Sequence, residues 1–358
     1  MKEIFKRFHS GRAIFLIMIL ILSILVGGVL KITAPVILPF TIAFLFAFAL
    51  YPLIKLASKY HIPRFIAVIF IILIIIAGIY GLGVVLYNSG KVLVSTYPKY
   101  ESRLTEIYIR TAEFLGFSYD EDLSFLENLW AQLGIRTWLR HYTLSFSTLF
   151  INFLKNAFLM VIFLAFLLIE TVQFKEKIQT AFEGRADKII QIGHDLTSQV
   201  SRYLTAKFLI SLFTGIIFAI ALKLLRVEFA IIWGILQFFF NFIPVFGSVV
   251  TGLGISLFSI IQFWPDPAPV ILVIVFLLLV NIVIGNIMDP RIIGEHMGIS
   301  PLVVLFSLVV WGWIWGFIGM IVAVPMMVII KIICENIPVL EPVSILIGSR
   351  KAIRTLKP

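Results

Sequence analysis

Amide side chains beside helix-breaking residues are the polar groups of this sequence best placed to bind a ligand. Proline removes a backbone donor and leaves an upstream carbonyl without its helical partner, so polar backbone is exposed at such breaks. An amide both donates and accepts hydrogen bonds, which suits a neutral hydroxylated solute. The pattern therefore predicts binding of a small polar molecule. The candidate binding residues are Asn241, Pro244, Gly247, Asn286, Asp289 and Pro290.

Each polar candidate also has a purely structural interpretation. The Asn241 amide either fills the hydrogen bond that Pro244 leaves open or binds a ligand, and the sequence does not separate the two. Asp289 fits an ion pair with Arg291 at the headgroups better than a proton or sodium carrier. We find no carboxylate in the middle of a predicted span, so the sequence indicates no deep proton relay.

A second group of small residues predicts close helix packing or a mobile hairpin tip. Gly312, Gly316 and Gly319 have the spacing of small residues at membrane helix contacts, and Pro325 follows them. Three tryptophans lie at alternate positions around Gly312: Trp311, Trp313 and Trp315. We interpret them as an interfacial anchor, with a wall for a solute pathway as the alternative.

Motifs for catalysis are not found. The sequence has no Walker A loop, dinucleotide fingerprint or metalloprotease helix, and no nucleophile elbow for a serine hydrolase. Its five histidines fall in predicted loops or surface segments without metal-ligand spacing. The one cysteine excludes an internal disulfide. We expect neither an enzyme nor a bound cofactor or metal.

The bilayer is the solvent for most of this chain. Hydrophobic residues make up 61% and charged residues 13%, against about half and about a quarter in soluble domains. The net charge of +10 is scattered over loops, so it favours orientation signals and lipid headgroups over nucleic acid. The apolar run Ala13–Leu30 is too long for a typical signal peptide, so we expect a retained span.

Apolar runs of spanning length predict an all-α polytopic membrane protein with about eight membrane segments. Two segments are broken by Pro or Gly into helical hairpins, Val227–Trp264 and Leu302–Ile333. They flank one further span, whose first part is Val270–Val283. Paired broken segments indicate the substrate site of secondary transporters. The alternative is that each limb is a short full span. The five single spans are Ala13–Leu30, Pro35–Ile54, Phe65–Tyr87, Ser147–Ile169 and Phe208–Leu222.

Two segments outside the spans have the apolar spacing of amphipathic helices. One contains Leu104, Ile107 and Phe114, followed by a second stretch at 123–133, and the other is Phe174–Tyr203. Most Lys and Arg residues lie in segments that are inside if the N-terminus is inside, so both termini are predicted to be cytoplasmic. The predicted regions are 1–87 with three spans, 88–146 as an extracytoplasmic insertion, 147–207 with the fourth span, 208–333 as transport core, and 334–358 as cytoplasmic tail.

Several motifs of the C-terminal half resemble the autoinducer-2 exporter family of membrane permeases. They are Tyr203–Lys207, Leu236–Gly247, Gly285–Gly294, Gly298–Val304, Trp311–Gly316 and Gly319–Pro325. The resemblance implies an inner-membrane protein of about eight spans that exports a small solute or exchanges cations for protons. Much of the family carries an acidic or amide residue where this chain has Ile284. That difference favours the autoinducer-2 exporters over the cation antiporters.

We therefore expect a secondary transporter that exports a small polar solute, for example one that resembles autoinducer-2. The predicted mechanism encloses the solute near the two breaks and moves the hairpins against the other helices. Its partners would be the solute, a coupling proton or sodium ion, membrane lipids and other copies of the chain. Alternatives are a sodium/proton antiporter and, from another class, a membrane scaffold acting through its loop 88–146 and inner helix.

Overall fold

The computed structural model describes residues 17–18, 21–115, 135–182, 184, 186–244, 246–288 and 298–348. In these ranges the regular elements are helices, apart from one bridge between Ile299 and Gly348. Seven described helices are long and apolar enough to cross a membrane, which confirms the predicted all-α polytopic fold. The longer helices are α1 (Ile21–Ile32), α2 (Ala34–Lys59), α3 (Arg64–Leu115), α4 (Ile135–Ala181), α5 (Ala186–Leu224), α6 (Ala230–Phe240), α7 (Phe246–Phe263), α8 (Pro267–Val280) and α9 (Pro301–Asn336).

The surface of these helices is apolar, as lipid requires. Large side chains such as Ile74, Leu257 and Leu278 are more than half exposed. Inside a bilayer this exposure carries no cost, because lipid tails are as apolar as the side chains. Part of the predicted first span, the stretch 123–133, and Asp289 with Pro290 lie outside the described residues.

The described residues group into two compact units. The first unit draws on Met1–Phe48, Asn156–Leu196 and Gly298–Pro358, and the second on Ala49–Lys155 and Thr197–Met297. The first broken hairpin belongs to the second unit and the second hairpin to the first unit. The predicted transport core, residues 208–333, is thus distributed over both.

In the second unit the hairpin predicted at Val227–Trp264 is present as α6 and α7, and the chain turns at 241–244 after α6. Its limbs pack with α5 and α8 around one apolar core. Asp266 caps α8 by accepting a hydrogen bond from the Ala268 amide at 3.0 Å, and Pro267 opens the helix. The core residues are Phe218, Leu222, Val227, Ala230, Ile255, Val273 and Leu277.

In the first unit the second predicted break lies within α9 at Gly316, whose φ of 64° and ψ of −143° are not helical. Residues 301–315 and 317–336 are therefore two limbs, and a buried hydrogen bond from Ser307 Oγ to the Ala323 carbonyl (3.1 Å) joins them. A short helix, α10 (Glu341–Ile347), follows. The Ser300 amide donates to the Ile347 carbonyl at 2.9 Å, which ties α10 to the start of the hairpin.

Two amphipathic segments that we predicted as separate helices continue spans instead. Helix α3 runs from the third span to Leu115. The predicted segment Phe174–Tyr203 is divided: its first part continues α4 to Ala181, and its last part opens α5, which contains the fifth span. The apolar periodicity indicated helix correctly in both cases. The boundary predicted after Tyr87 is wrong, because Gly90 and Pro98 are accommodated inside α3 and do not end it.

Candidate functional site

The first break is a turn that only glycine can close. Pro244 has no amide hydrogen, so the Phe240 carbonyl accepts from the Ile243 amide instead, at 2.9 Å. A Cβ atom on Gly247 would stand 1.8 Å from the Phe240 carbonyl oxygen. The start of α7 thus lies directly against the end of α6.

The break lies at one end of the hairpin, and the two chain ends of the hairpin lie together at the other end. Gln262 donates from Nε2 to the Arg226 carbonyl (2.7 Å) and accepts at Oε1 from the Glu228 amide (2.8 Å). The 11 residues of α6 span about 16 Å at 1.5 Å per residue. That is about half of the 30 Å hydrocarbon core. Helix α6 is thus too short to cross by itself, whereas α7 has 18 residues, so the two limbs of the hairpin are unequal.

Asn241 connects the break to the neighbouring helix α5. Its Nδ2 group donates to the hydroxyl of Ser211 at 3.0 Å, and Ser211 is fully buried. The sequence left open whether this amide fills the gap at Pro244 or binds a ligand. The structure shows an interhelical side-chain partner, whereas the Ile243 amide bonds to the Phe240 carbonyl.

A second pair of polar groups lies beside the first. Gln237 and Thr251 are each at most 3% exposed, and the Thr251 hydroxyl contacts Gln237 Oε1 and the Gly247 carbonyl. Gln237 and Asn241 are four residues apart, so both amides lie on one face of α6. We call Ser211, Gln237, Asn241 and Thr251 the polar cluster.

The polar cluster retains hydrogen-bonding capacity. Among bonds between described residues, the Ser211 hydroxyl proton, the Asn241 Oδ1 atom and the Gln237 Nε2 group are not used. Among the described residues, the fully buried side-chain atoms without a partner belong to Arg64, Trp233, Ser259 and Trp264 and not to the polar cluster. The cluster atoms with spare capacity are donors and acceptors of the kind that bond to hydroxyl groups.

Three members of the polar cluster were missed in the sequence. The spacing of Gln237 and Asn241 was a usable signal, since it places two amides on one helix face. Ser211 and Thr251 lack such a signal, because an isolated hydroxyl in an apolar span is common. Lys207 is also buried, one turn before Ser211 on α5.

The second break has the geometry of a packing element. A Cβ atom on Gly319 would stand 1.9 Å from the Trp311 carbonyl oxygen, and one on Gly312 would stand 3.0 Å from Met320 Cγ. The limbs are therefore in close contact, with Gly316 at the tip. Pro325 is fully buried within the second limb.

The tryptophans near this tip bind the first helix. Trp315 donates from Nε1 to the Leu30 carbonyl at 3.1 Å, and the Lys31 ammonium lies 4.4 Å from the Trp313 ring centroid. Trp311 stacks on Trp315 and both are buried. The tip thus reaches the C-terminal end of α1, where its backbone carbonyls lack helical partners.

The region of Asn286 is a π-helix, Asn281–Met288, that continues α8. A π-helix bonds residues five apart, so Asn281 and Asn286 stand about one turn apart, not one and a half as expected from α geometry. Short π-helical segments are frequent at functional sites. Ile284, the residue that differs from much of the resembled family, is buried.

A charged group lies at the ends of the first hairpin that are remote from its turn. The Glu228 carboxylate accepts from Lys99 Nζ and from the Tyr100 hydroxyl. Burial works to raise the Glu228 pKa, but hydrogen bonds from Lys99 and Tyr100 outweigh it and lower that pKa below its usual value. Burial and the hydrogen bond to Glu228 raise the Tyr100 pKa.

Comparison with known proteins identifies a family of membrane transporters. A family model described as "AI-2E family transporter" matches residues 12–338. The "AI-2 transport protein TqsA" of Escherichia coli is 31% identical over 339 residues, covering 91% of this chain and 93% of that protein. A "Putative transport protein" of Borreliella burgdorferi is 29% identical, covering 92% and 89%. A "Sodium-lithium/proton antiporter" of Halobacillus andaensis is 23% identical, covering 90% and 95%.

Proposed function

Since this chain belongs to the AI-2E family of transporters, we propose that it exports a small polar, hydroxylated solute, bound at the polar cluster. The observation that carries the proposal is the unused hydrogen-bonding capacity of Ser211, Gln237 and Asn241. These groups lie at the break between two apolar helices, which we place inside the membrane, where polar groups are costly unless they serve a ligand or partner. Helix breaks at this depth are typical of secondary transporters.

The composition of the polar cluster favours a neutral or electron-rich solute over a metal cation. Its side chains are amides and hydroxyls, and the cationic Lys207 lies one turn away on α5. Ile284 occupies the position where much of the family carries an acidic or amide group, and this favours the same conclusion.

A relative named for AI-2 transport makes autoinducer-2 the first solute to test. The purified protein would be reconstituted in proteoliposomes with autoinducer-2, small polyols or sodium. We expect uptake of a hydroxylated solute that Asn241→Ala lowers at least tenfold. The matched control is Asn336→Ala, because Asn336 donates to its own helix at the Ile332 carbonyl (2.8 Å).

The outcomes of this assay separate the candidate functions. Sodium-dependent proton movement without solute uptake would replace the proposal by an antiporter. A folded protein with no flux of any kind would favour the scaffold function. Equal rates for Asn241→Ala and Asn336→Ala would move the binding site away from the polar cluster.

We also propose that the chain lies in the inner membrane with both termini in the cytoplasm. Support comes from the excess of Lys and Arg in the segments that this orientation places inside. Cysteines introduced at Ser10 and Arg354, in a Cys334→Ala background, should react with an impermeant thiol reagent only from the cytoplasmic side. Labelling from outside would overturn the orientation.

A further inference from the structure

The extension of α3 beyond its membrane segment contacts both ends of the first hairpin. The apolar part of α3 is Arg64–Val92, and the helix continues to Leu115. Arg103 Nη1 donates to the Ile261 carbonyl at 3.4 Å, and the Arg110 guanidinium lies 5.7 Å from the Trp264 ring centroid. The extension thus reaches the end of α7 as well as the turn before α6.

Glu228 is the centre of this contact. Its two carboxylate oxygens each accept one hydrogen bond from α3. Oε1 accepts from Lys99, and Oε2 accepts from Tyr100. Its backbone amide donates to Gln262 of α7 at 2.8 Å. One residue therefore joins three elements: the α3 extension, the start of α6 and the end of α7.

The bonding differs in kind from that of the hairpin core. Helices α5, α6, α7 and α8 share a buried apolar core, and the extension adds the buried Tyr100, whose ring centroid lies 5.5 Å from that of Phe258. The side chains of Lys99 and Glu228 remain 43% and 30% exposed, and exposed ion pairs contribute little net stability. The ion pair can therefore open while the core and the aromatic packing of Tyr100 are kept.

We propose that Glu228 is a positioning residue of transport: its carboxylate clasps the outer ends of the first hairpin to the α3 extension. Opening of this clasp gives the solute access to the polar cluster. The role in solute movement rests on the proposed function, whereas the control of access to the polar cluster does not.

Access can be measured without a known solute. In a Cys334→Ala background, Thr251→Cys places a single thiol in the polar cluster, where Thr251 is buried. We expect Glu228→Gln to raise its labelling rate at least fivefold with an impermeant maleimide added on the side of Glu228. The matched control is Glu106→Gln, which removes the carboxylate that pairs with Arg110 at 3.3 Å within α3.

Charge reversal tests whether the ion pair, and not either side chain alone, sets the labelling rate. Lys99→Glu should accelerate labelling like Glu228→Gln, and Lys99→Glu combined with Glu228→Lys should restore the slow rate. Labelling that is equally fast in the parent, Glu228→Gln and Lys99→Glu proteins would overturn the proposal. So would a double exchange that labels as fast as Lys99→Glu alone.

A reversible cross-link tests the link to transport. Lys99→Cys with Glu228→Cys, in the Cys334→Ala background, would be oxidised to a disulfide that holds the clasp shut. We expect at least a tenfold loss of maximal autoinducer-2 flux with unchanged KM, restored by dithiothreitol. Full flux through the cross-linked protein would show a static strut and overturn the clasp. Absence of autoinducer-2 flux in the parent would count against the proposed solute, while the labelling assay would still decide the clasp.

Discussion

The amide nitrogen of Asn241 lies 3.0 Å from the hydroxyl oxygen of Ser211, and this bond joins the break of the first hairpin to helix α5. The hydrogen bond crosses between two helices at a depth where water is scarce. It holds the turn in place and leaves the Asn241 oxygen and the Ser211 proton for another partner. Binding of a solute hydroxyl between them would use both groups.

The Asn241–Ser211 bond should appear as a coupling free energy. We expect Asn241→Ala and Ser211→Ala to couple by about 0.5–1.5 kcal/mol in a double-mutant cycle of unfolding free energy in detergent. Thr214→Ala is the control partner, since the Thr214 hydroxyl bonds to the Ile210 carbonyl within α5 (2.7 Å). Equal coupling of Asn241 to both positions would mean that the interhelical bond is not formed.

Gly247→Ala should disrupt the first hairpin. The added Cβ would overlap the Phe240 carbonyl, and relief requires a backbone shift that costs about 1–3 kcal/mol or more. Gly252→Ala, on the same helix with no atom within 4 Å of its Cβ, should be neutral or slightly stabilising. Thermal unfolding of the two variants checks this, and an equal midpoint for both would contradict the close approach.

The sequence was sufficient to predict the hairpins, because proline and glycine impose local backbone constraints that do not depend on distant residues. The break at Pro244 and the non-helical backbone at Gly316 were both indicated in this way. Whether the limbs of each hairpin re-enter the membrane or cross it as short full spans stays a prediction. Hydrophobic length then predicted the remaining spans, since the bilayer thickness fixes the scale.

The partners of the polar residues could not be predicted, because they depend on which helix faces which. Ser211 and Thr251 are ordinary hydroxyls in apolar runs until α5 and α7 bring them to the amides of α6. The clasp of Lys99 on Glu228 joins residues 129 positions apart, and no local pattern encodes such a pairing. Asn286 stays a prediction, since its π-helical backbone is described but its side chain is not.

Asn286→Ala should lower transport strongly and leave membrane insertion intact. The reason is its position beside Gly285 in a π-helical segment next to the predicted break at Asp289 and Pro290. Flux in proteoliposomes and the yield of folded protein would be measured together. The double variant with Asn241→Ala exporting at the parent rate would rule out both amides as solute ligands.

Gly316→Ala should destabilise the second hairpin through its backbone alone. No atom lies within 4 Å of the added Cβ, but the φ of 64° with ψ of −143° is a conformation that other residues rarely adopt. The strain is about 1–3 kcal/mol. Gly83→Ala is the control, with the same free space in a helical position of α3. A difference in thermal midpoint between the two variants isolates the backbone term, and equal midpoints would exclude it.

Glu228 should make stability fall in acid. Burial acts to raise the Glu228 pKa. The hydrogen bond and charge of Lys99 and the hydrogen bond from Tyr100 lower this pKa by more than burial raises it, so the folded-state pKa lies below the ordinary value of 4.5. A lowered carboxyl pKa stabilises the folded state above the unfolded pKa. This contribution is fully present at neutral pH and is lost as the pH falls from about 4.5 through the lower folded-state value.

Thermal midpoints of the parent and Glu228→Gln proteins should therefore differ most at neutral pH and converge in acid. Tyr100 affects stability at alkaline pH. Because its pKa is raised in the folded protein, its contribution to stability is present below the ordinary pKa of 10.0 and is lost as the pH rises above it. Tyr100→Phe should remove the alkaline loss and leave the acid limb smaller but present, since Lys99 still pairs with Glu228. If the thermal midpoint of Glu228→Gln fell in acid as steeply as that of the parent, another carboxylate would be responsible for the acid loss of stability. Glu106→Gln provides the comparison, since Glu106 lies on α3 with Lys99 and Tyr100.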